Sequence, residues 1–175
     1  RSHLAVTCTG FCAHGEVMRV LTGRDAQVLK AVAELIGDCP TCTLVTVDEN
    51  GLPVARQMSD NNTGNESSLW LHTSVRTRKV AHLRVNPNAG LNYFNYQDLK
   101  SVYVTATCAF VSDPRLRREH FRKSLLRYFP AGPEDPAYVL LEFTPTSFVY
   151  YPGPEAGHSP YIWVPGSGVR VLNTE

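Results

Sequence analysis

The chain has 175 residues, 43% of them hydrophobic and 19% charged, with a formal net charge of +1. That length suits one domain able to bury roughly two-thirds of the surface its unfolded form exposes, and the composition excludes a disordered or low-complexity chain. Near-neutrality removes any global pull toward nucleic acid or anionic membrane, and no apolar run is long enough to span a bilayer.

The opening residues, RSHLAVTCTG, lack the basic-then-apolar order of a signal peptide. A cytoplasmic location is expected, although a removed leader would leave no trace. From Thr22 to Ile36 the apolar residues Val28, Leu29, Val32, Leu35 and Ile36 recur at helical spacing. Thr22 followed by Asp25 resembles a capping box with a shortened acid, and Gly37 can stop the helix. Thr43 to Val47 is rich in β-branched residues and reads as a strand. Asn50-Gly51 supplies the positive backbone angles of a tight hairpin turn, and the chain returns as LPVARQM. The polar run SDNNTGNESS loops to a short strand, LWLHT. The segment VRTRKVAHLRVNP reads as a short helix with Val80 and Leu83 inward, ended by Asn86-Pro87.

Two strands follow, AGLNYFN and SVYVTATCAFV, separated by a turn around Gln97-Asp98. Asp113-Pro114 opens another helix, expected to run through Arg127 with Phe121, Leu125 and Tyr128 on one face. The loop PAGPEDP leads to a strand YVLLEFT and then a second, SFVYY. From Pro152 the sequence is rich in Pro and Gly and shows no periodicity. Strands outnumber helices and are mostly linked by hairpins. The expected fold is mainly β (α+β), an antiparallel sheet closed into a barrel with flanking helices, because closure removes unpaired edges.

Five cysteines are present. Cys8, Cys12 and His14 lie close together, and Cys39 and Cys42 form CPTC. Zinc would suit four such thiols, but the spacing is not that of a finger or ribbon. A thioredoxin-type pair sits after a strand at a helix start, whereas CPTC lies between a helix and a strand. Small part-buried thiols in a reducing compartment are the preferred reading, and no metal is assigned.

Between Glu66 and Asp98 there is no acidic residue, while Arg76, Arg78, Lys79 and Arg84 fall in that window with His72 and His82. The cluster coincides with a helix start, where free N–H groups and a partial positive charge suit a phosphate. Arg and Lys add a forked donor and a point charge, and Thr73, Ser74 and Thr77 add hydroxyls. The same residues could equally form a solvated basic face. A second basic stretch, RLRREHFRKSLLR, reads by default as a surface helix, and no nucleic-acid motif accompanies it. No Gly-rich phosphate loop and no Gly-x-Ser-x-Gly elbow occurs. The histidines His72, His82, His120 and His158 are scattered.

The run from Thr43 to Tyr150 resembles the pyridoxamine 5'-phosphate oxidase-like family of FMN-binding split barrels, and within it the general-stress-protein branch. The matching pieces are TLVTVDENGLPVARQM, LWLHTSVRTRKVAHLRVNPNAGLNYF, SVYVTATCAFV and RYFPAGPEDPAYVLLEFTPTSFVYY, in the family's order and with similar gaps. The resemblance implies a split barrel over residues 22–151, flanked by an N-terminal extension over 1–21 and a tail over 152–175. It implies a homodimer with FMN between the subunits. Arg78 and Lys79 resemble the pair that grips the FMN phosphate. Arg56, Gln57 and Met58 match a strand that lines the flavin and its ribityl chain, and Thr73 and Ser74 match the strand end beside the ring and phosphate. Ser101 falls where the oxidase has a Gln that contacts flavin, which puts that contact in doubt. Trp163 and Arg170 are the only candidates for the oxidase's C-terminal Trp and Arg, and the surrounding motif differs.

The resemblance therefore implies an FMN-dependent oxidoreductase acting on a small molecule other than pyridoxamine phosphate, with no nucleic-acid or membrane partner and no assigned general acid or base. A non-catalytic flavin-binding stress-response protein and a haem-binding split barrel stay open beside it.

Overall fold

The computed structural model describes residues 23–60, 62, 67–156 and 159–172. Helix α1 spans Arg24–Asp38 and buries Val28, Leu29, Val32, Leu35 and Ile36 along one stripe. Its N-cap is Gly23, at φ 68 and with no side-chain cap; Thr22 of the expected Thr22–Asp25 box lies outside the described residues. Gly37 does not stop it; the helix runs one residue further, to Asp38.

Strands β1 (Thr41–Val47) and β2 (Pro53–Ser59) form the expected hairpin. Its turn is built differently from the expected one. Only Gly51 takes a positive φ, 80°, and Asn50 does not. Asp48 organises the loop instead: its Oδ1 accepts from the N–H groups of Asn50 and Leu52 at 2.9 and 2.8 Å.

Strand β3 (Leu69–Ser74) leads to helix α2 (Arg78–Val85), whose Val80 and Leu83 are buried as the spacing predicts. Strands β4 (Asn88–Asn95) and β5 (Lys100–Val111) follow. The second basic stretch does not make one long helix. Helix α3 (Pro114–His120) is short, Phe121 and Arg122 after it are extended, and a 3-10 turn covers Lys123–Arg127. The break lets Phe121 and Phe129 both meet Tyr138 edge-on, each with ring centroids 5.2 Å apart, while Leu125 joins the same small core. Tyr128, expected on the apolar face, is exposed. Arg117 clamps the following loop, donating to the carbonyls of Pro133 and Tyr138.

The two strands expected after that loop are one, β6 (Tyr138–Tyr151), 14 residues long. A bulge shifts its register against β5, so that Thr105 faces Ser147 and Ala106 faces Pro145. Leu141 and Phe143 point into the core before the bulge, Phe148 and Tyr150 after it. One inserted residue thus resets the alternation and keeps both halves facing the same core. Within the Pro- and Gly-rich tail, β7 (Tyr161–Val164) and β8 (Gly168–Val171) form a hairpin that continues the sheet.

The eight strands pair antiparallel in the order β2-β1-β4-β5-β6-β7-β8, with β3 also on β6. This is the split-barrel arrangement, and α1 and α2 pack on its inner side with Leu44, Leu91, Val104 and Phe148. Among the described residues no helix is long and apolar enough to cross a membrane.

Gly90 of β4 lies beneath Tyr103 of β5, where a Cβ would collide with the tyrosine ring and hydroxyl. Gly90→Ala should therefore destabilise the protein by about 1–3 kcal/mol through overpacking. In urea unfolding, the Gly90→Ala/Tyr103→Ala pair should recover most of that loss, and strictly additive losses would show that the two positions share no space.

Candidate functional site

Antiparallel pairing sets Arg56 opposite Leu44 and Gln57 opposite Thr43. Strand alternation then sends the two side chains to opposite faces. Arg56 lies on the inner face, where its Nη1 donates to Thr46 Oγ1 at 2.8 Å and to the Leu44 carbonyl at 3.2 Å. Gln57 stands on the outer face and donates from Nε2 to Thr43 Oγ1 at 2.8 Å. Met58 is buried in the core.

Strand β3 ends at Ser74, and α2 begins four residues later. Thr77 is the N-cap, yet its side chain makes no capping bond. Its hydroxyl donates to the Ser74 carbonyl at 2.9 Å. It therefore accepts from the Thr73 hydroxyl at 3.3 Å, and Thr73 Oγ1 in turn accepts from Lys79 Nζ at 3.2 Å. The start of α2 is left without a side-chain cap, and a helix start in that condition attracts anions.

Three cations converge here. Burial, and then the charge of Arg78, makes the charged form of Arg56 costlier; burial, and then Arg56, does the same to Lys79. None of the ion pairs among the described residues engages Arg56, Arg78 or Lys79. Half-buried positive charge without a carboxylate is a fit for a dianion.

The structure thus brings together Arg56, Thr73, Arg78 and Lys79. It leaves Ser74 at the strand end, where its carbonyl accepts from Thr77. Ser101, three strands from β2 and paired with Phe94 and Tyr151, stands on the outer face apart from the cations. Sequence reasoning missed Thr46 as a site residue and gave His82 no role. Both are buried, with Thr46 Oγ1 2.9 Å from His82 Nδ1. The available signal was a threonine at an inward position of TLVTV and a histidine two residues after Val80.

Other candidates are accounted for differently. His120 stacks on Trp70 with centroids 4.0 Å apart. Trp163 is buried and stacks on Phe148 at 5.5 Å, so it is a core residue and not one that closes over a ligand. Arg170 is on β8, opposite Ile162. A separate open cavity of about 530 Å³, lined by Glu34, Asp38, Cys39, Asp60, Asn62 and Arg122, shares no residue with the cation cluster. Cys8, Cys12, His14 and His158 lie outside the described residues. Among those described, no three His, Cys, Asp or Glu side chains form a metal site.

Residues 28–151 match the pyridoxamine 5'-phosphate oxidase family. No curated protein matches the sequence. Among solved structures, a Clostridium acetobutylicum protein related to general stress protein 26 superposes with a TM-score of 0.67 at 22% identity, covering 79% of this chain and 94% of that one. General stress protein 26 of Bacillus anthracis gives 0.62 at 23% identity over 71% and 93%. A Nostoc punctiforme pyridoxamine 5'-phosphate oxidase-related, FMN-binding protein gives 0.65 at 13% identity over 86% and 93%. At such identities the likeness is one of fold.

The thiols Cys39, Cys42 and Cys108 are free and buried. Burial raises all three pKa values, that of Cys108 to about 12, and Asp60 raises Cys42 further. Thiolate is the reactive form. At pH 8 the native protein should therefore leave these three unlabelled by maleimide in peptide mass spectrometry and label them fully once unfolded. Rapid native labelling of Cys39 or Cys42 would revive a redox role for CPTC.

Proposed function

We propose, from the premise that this chain belongs to the pyridoxamine 5'-phosphate oxidase family, that it is a flavoprotein holding FMN at the interface of a homodimer and working as an oxidoreductase. The observation that carries this reading is the unpaired cation cluster of Arg56, Arg78 and Lys79 at the uncapped start of α2. The phosphate of FMN is a dianion, and these residues fit it in charge and in hydrogen-bond donors. When bound, FMN supplies hydride or electron transfer at its ring.

The chain's own residues bind and orient. Arg56, fixed by Thr46 and the Leu44 carbonyl, offers its remaining guanidinium N–H groups to the phosphate. Arg78 adds a second fork and Lys79, steadied by Thr73, a point charge. Thr73 and Ser74 end the strand beside this site, and the β2 backbone at Gln57 and Met58 runs past it. Partial burial of Arg56 and Lys79 strengthens their interactions relative to water. We assign no general acid or base. With Trp163 in the core, the proposed substrate is not pyridoxamine phosphate.

The dimer is supported by the outer face of β4 and β5, where Phe94 and Tyr103 are 52 and 38% exposed, with Tyr96 in the following turn 76% exposed. Apolar area of this kind suits a covering copy. Gln57 and Ser101 stand on the same face and would meet cofactor or substrate across the interface.

Two outcomes are expected. Each charge-assisted hydrogen bond to phosphate is worth about 1.5–3 kcal/mol, so Arg78→Ala with Lys79→Ala should weaken FMN binding by roughly a hundredfold or more. Riboflavin, which lacks the phosphate, should be nearly unaffected in the same fluorescence titration. Equal FMN affinity in both proteins would return the cluster to solvated surface charge. Sedimentation should give about twice the chain mass, and a monomer that still binds FMN tightly would contradict a shared site.

A further inference from the structure

The cation cluster stands on two elements that must keep their spacing: Arg56 is on β2, Arg78 and Lys79 on α2. One buried hydroxyl joins them. Thr46 Oγ1 accepts from Arg56 Nη1 at 2.8 Å and lies 2.9 Å from His82 Nδ1, one helical turn beyond Arg78 and on the same helix. Thr46 is wholly buried and His82 is 8% exposed, so neither has water as a substitute partner.

We infer that Thr46 and His82 are positioning residues for phosphate recognition, setting the distance and angle between the Arg56 guanidinium and the start of α2. The inference rests on the reading of this cluster as the FMN phosphate site. The chemistry is specific. Thr46 Oγ1 accepts from Arg56 and still has a proton and a second lone pair, so it bonds His82 Nδ1 in either ring tautomer. Arg56 is thereby held in one rotamer by two acceptors, Thr46 Oγ1 and the Leu44 carbonyl, and α2 is fixed to β1 at the turn that follows Arg78 and Lys79. Forked donors lose strength steeply when misaligned. A valine at Thr46 has nearly the same shape but neither accepts nor donates, so it frees both Arg56 and His82 while leaving the flavin-ring surroundings intact.

The test is the ratio of FMN to riboflavin affinity, measured by fluorescence titration. A residue that only supports the fold would shift both ligands together. Thr46→Val is expected to lower FMN affinity by about tenfold or more, with riboflavin little changed. His82→Phe cuts the same link from the helix side and should do likewise. Thr46→Ser, which keeps the hydroxyl, and His82→Asn, which can place a polar atom near the Nδ1 position, should restore most of the preference. Wild type binding FMN no better than riboflavin would overturn the phosphate site itself, and this inference with it. Wild type preferring FMN, with Thr46→Val and His82→Phe keeping that preference in full, would leave the phosphate site standing and overturn the positioning role. If Thr46→Val or His82→Phe does not fold, Thr46→Ser decides: loss of the preference there, in a folded protein, overturns the role.

Discussion

Mutual repulsion among Arg56, Arg78 and Lys79 is the constraint around which the rest of the molecule is arranged. For Arg56 and Lys79, burial first and a neighbouring cation second raise the cost of carrying charge. Such a group persists only where a rigid frame over-determines it. The frame consists of the β1–β2 hairpin, the end of β3, and α2 lying against β1, tied by hydrogen bonds from Arg56 and Lys79 to threonine hydroxyls. In the proposed flavoprotein a bound dianion would relieve that repulsion and take up the unused donors, turning the cost of the cluster into binding energy.

The sheet that holds this frame depends on β6. It pairs with β5 from Leu140 to Tyr151, with β3 before the bulge and with β7 after it. The bulge opposite Thr105 and Ala106 lets one strand serve two neighbours on the same edge without turning its core face outward. Arg117 and the small core of Leu125, Phe129 and Tyr138 anchor the strand's beginning, and Val75 N–H bonds to the Ala137 carbonyl just before it. The end of β3, from which the chain enters α2, is fixed by that same contact region.

Local chemistry made much of this legible in the sequence. The spacing of Val80 and Leu83, the β-branched run at Thr43–Val47 and the acid-free window before Asp98 each reflect neighbours close in the chain, and each has its structural counterpart. What stayed hidden depends on partners far away. The bulge in β6 reads as a strand break because Pro145 and Thr146 interrupt a period of two. The break after His120 goes with Phe121 and Phe129 both packing on Tyr138, a strand residue further along the chain, which the local helical period does not register. The β7–β8 hairpin forms on the edge of β6, with Trp163 stacked on Phe148, so its Pro- and Gly-rich sequence carries little signal of its own. At the site, the Arg78-Lys79 pair was visible as charge at a helix start. The Thr46–His82 link, spanning 36 positions, was not.

The most direct test of the proposed FMN site is the absorption spectrum of freshly purified protein, with the released small molecule identified by mass. The protein should show a flavin spectrum and release FMN at a stoichiometry near one per chain. A Soret band from haem, or a preparation that neither carries flavin nor takes up added FMN, would contradict that site.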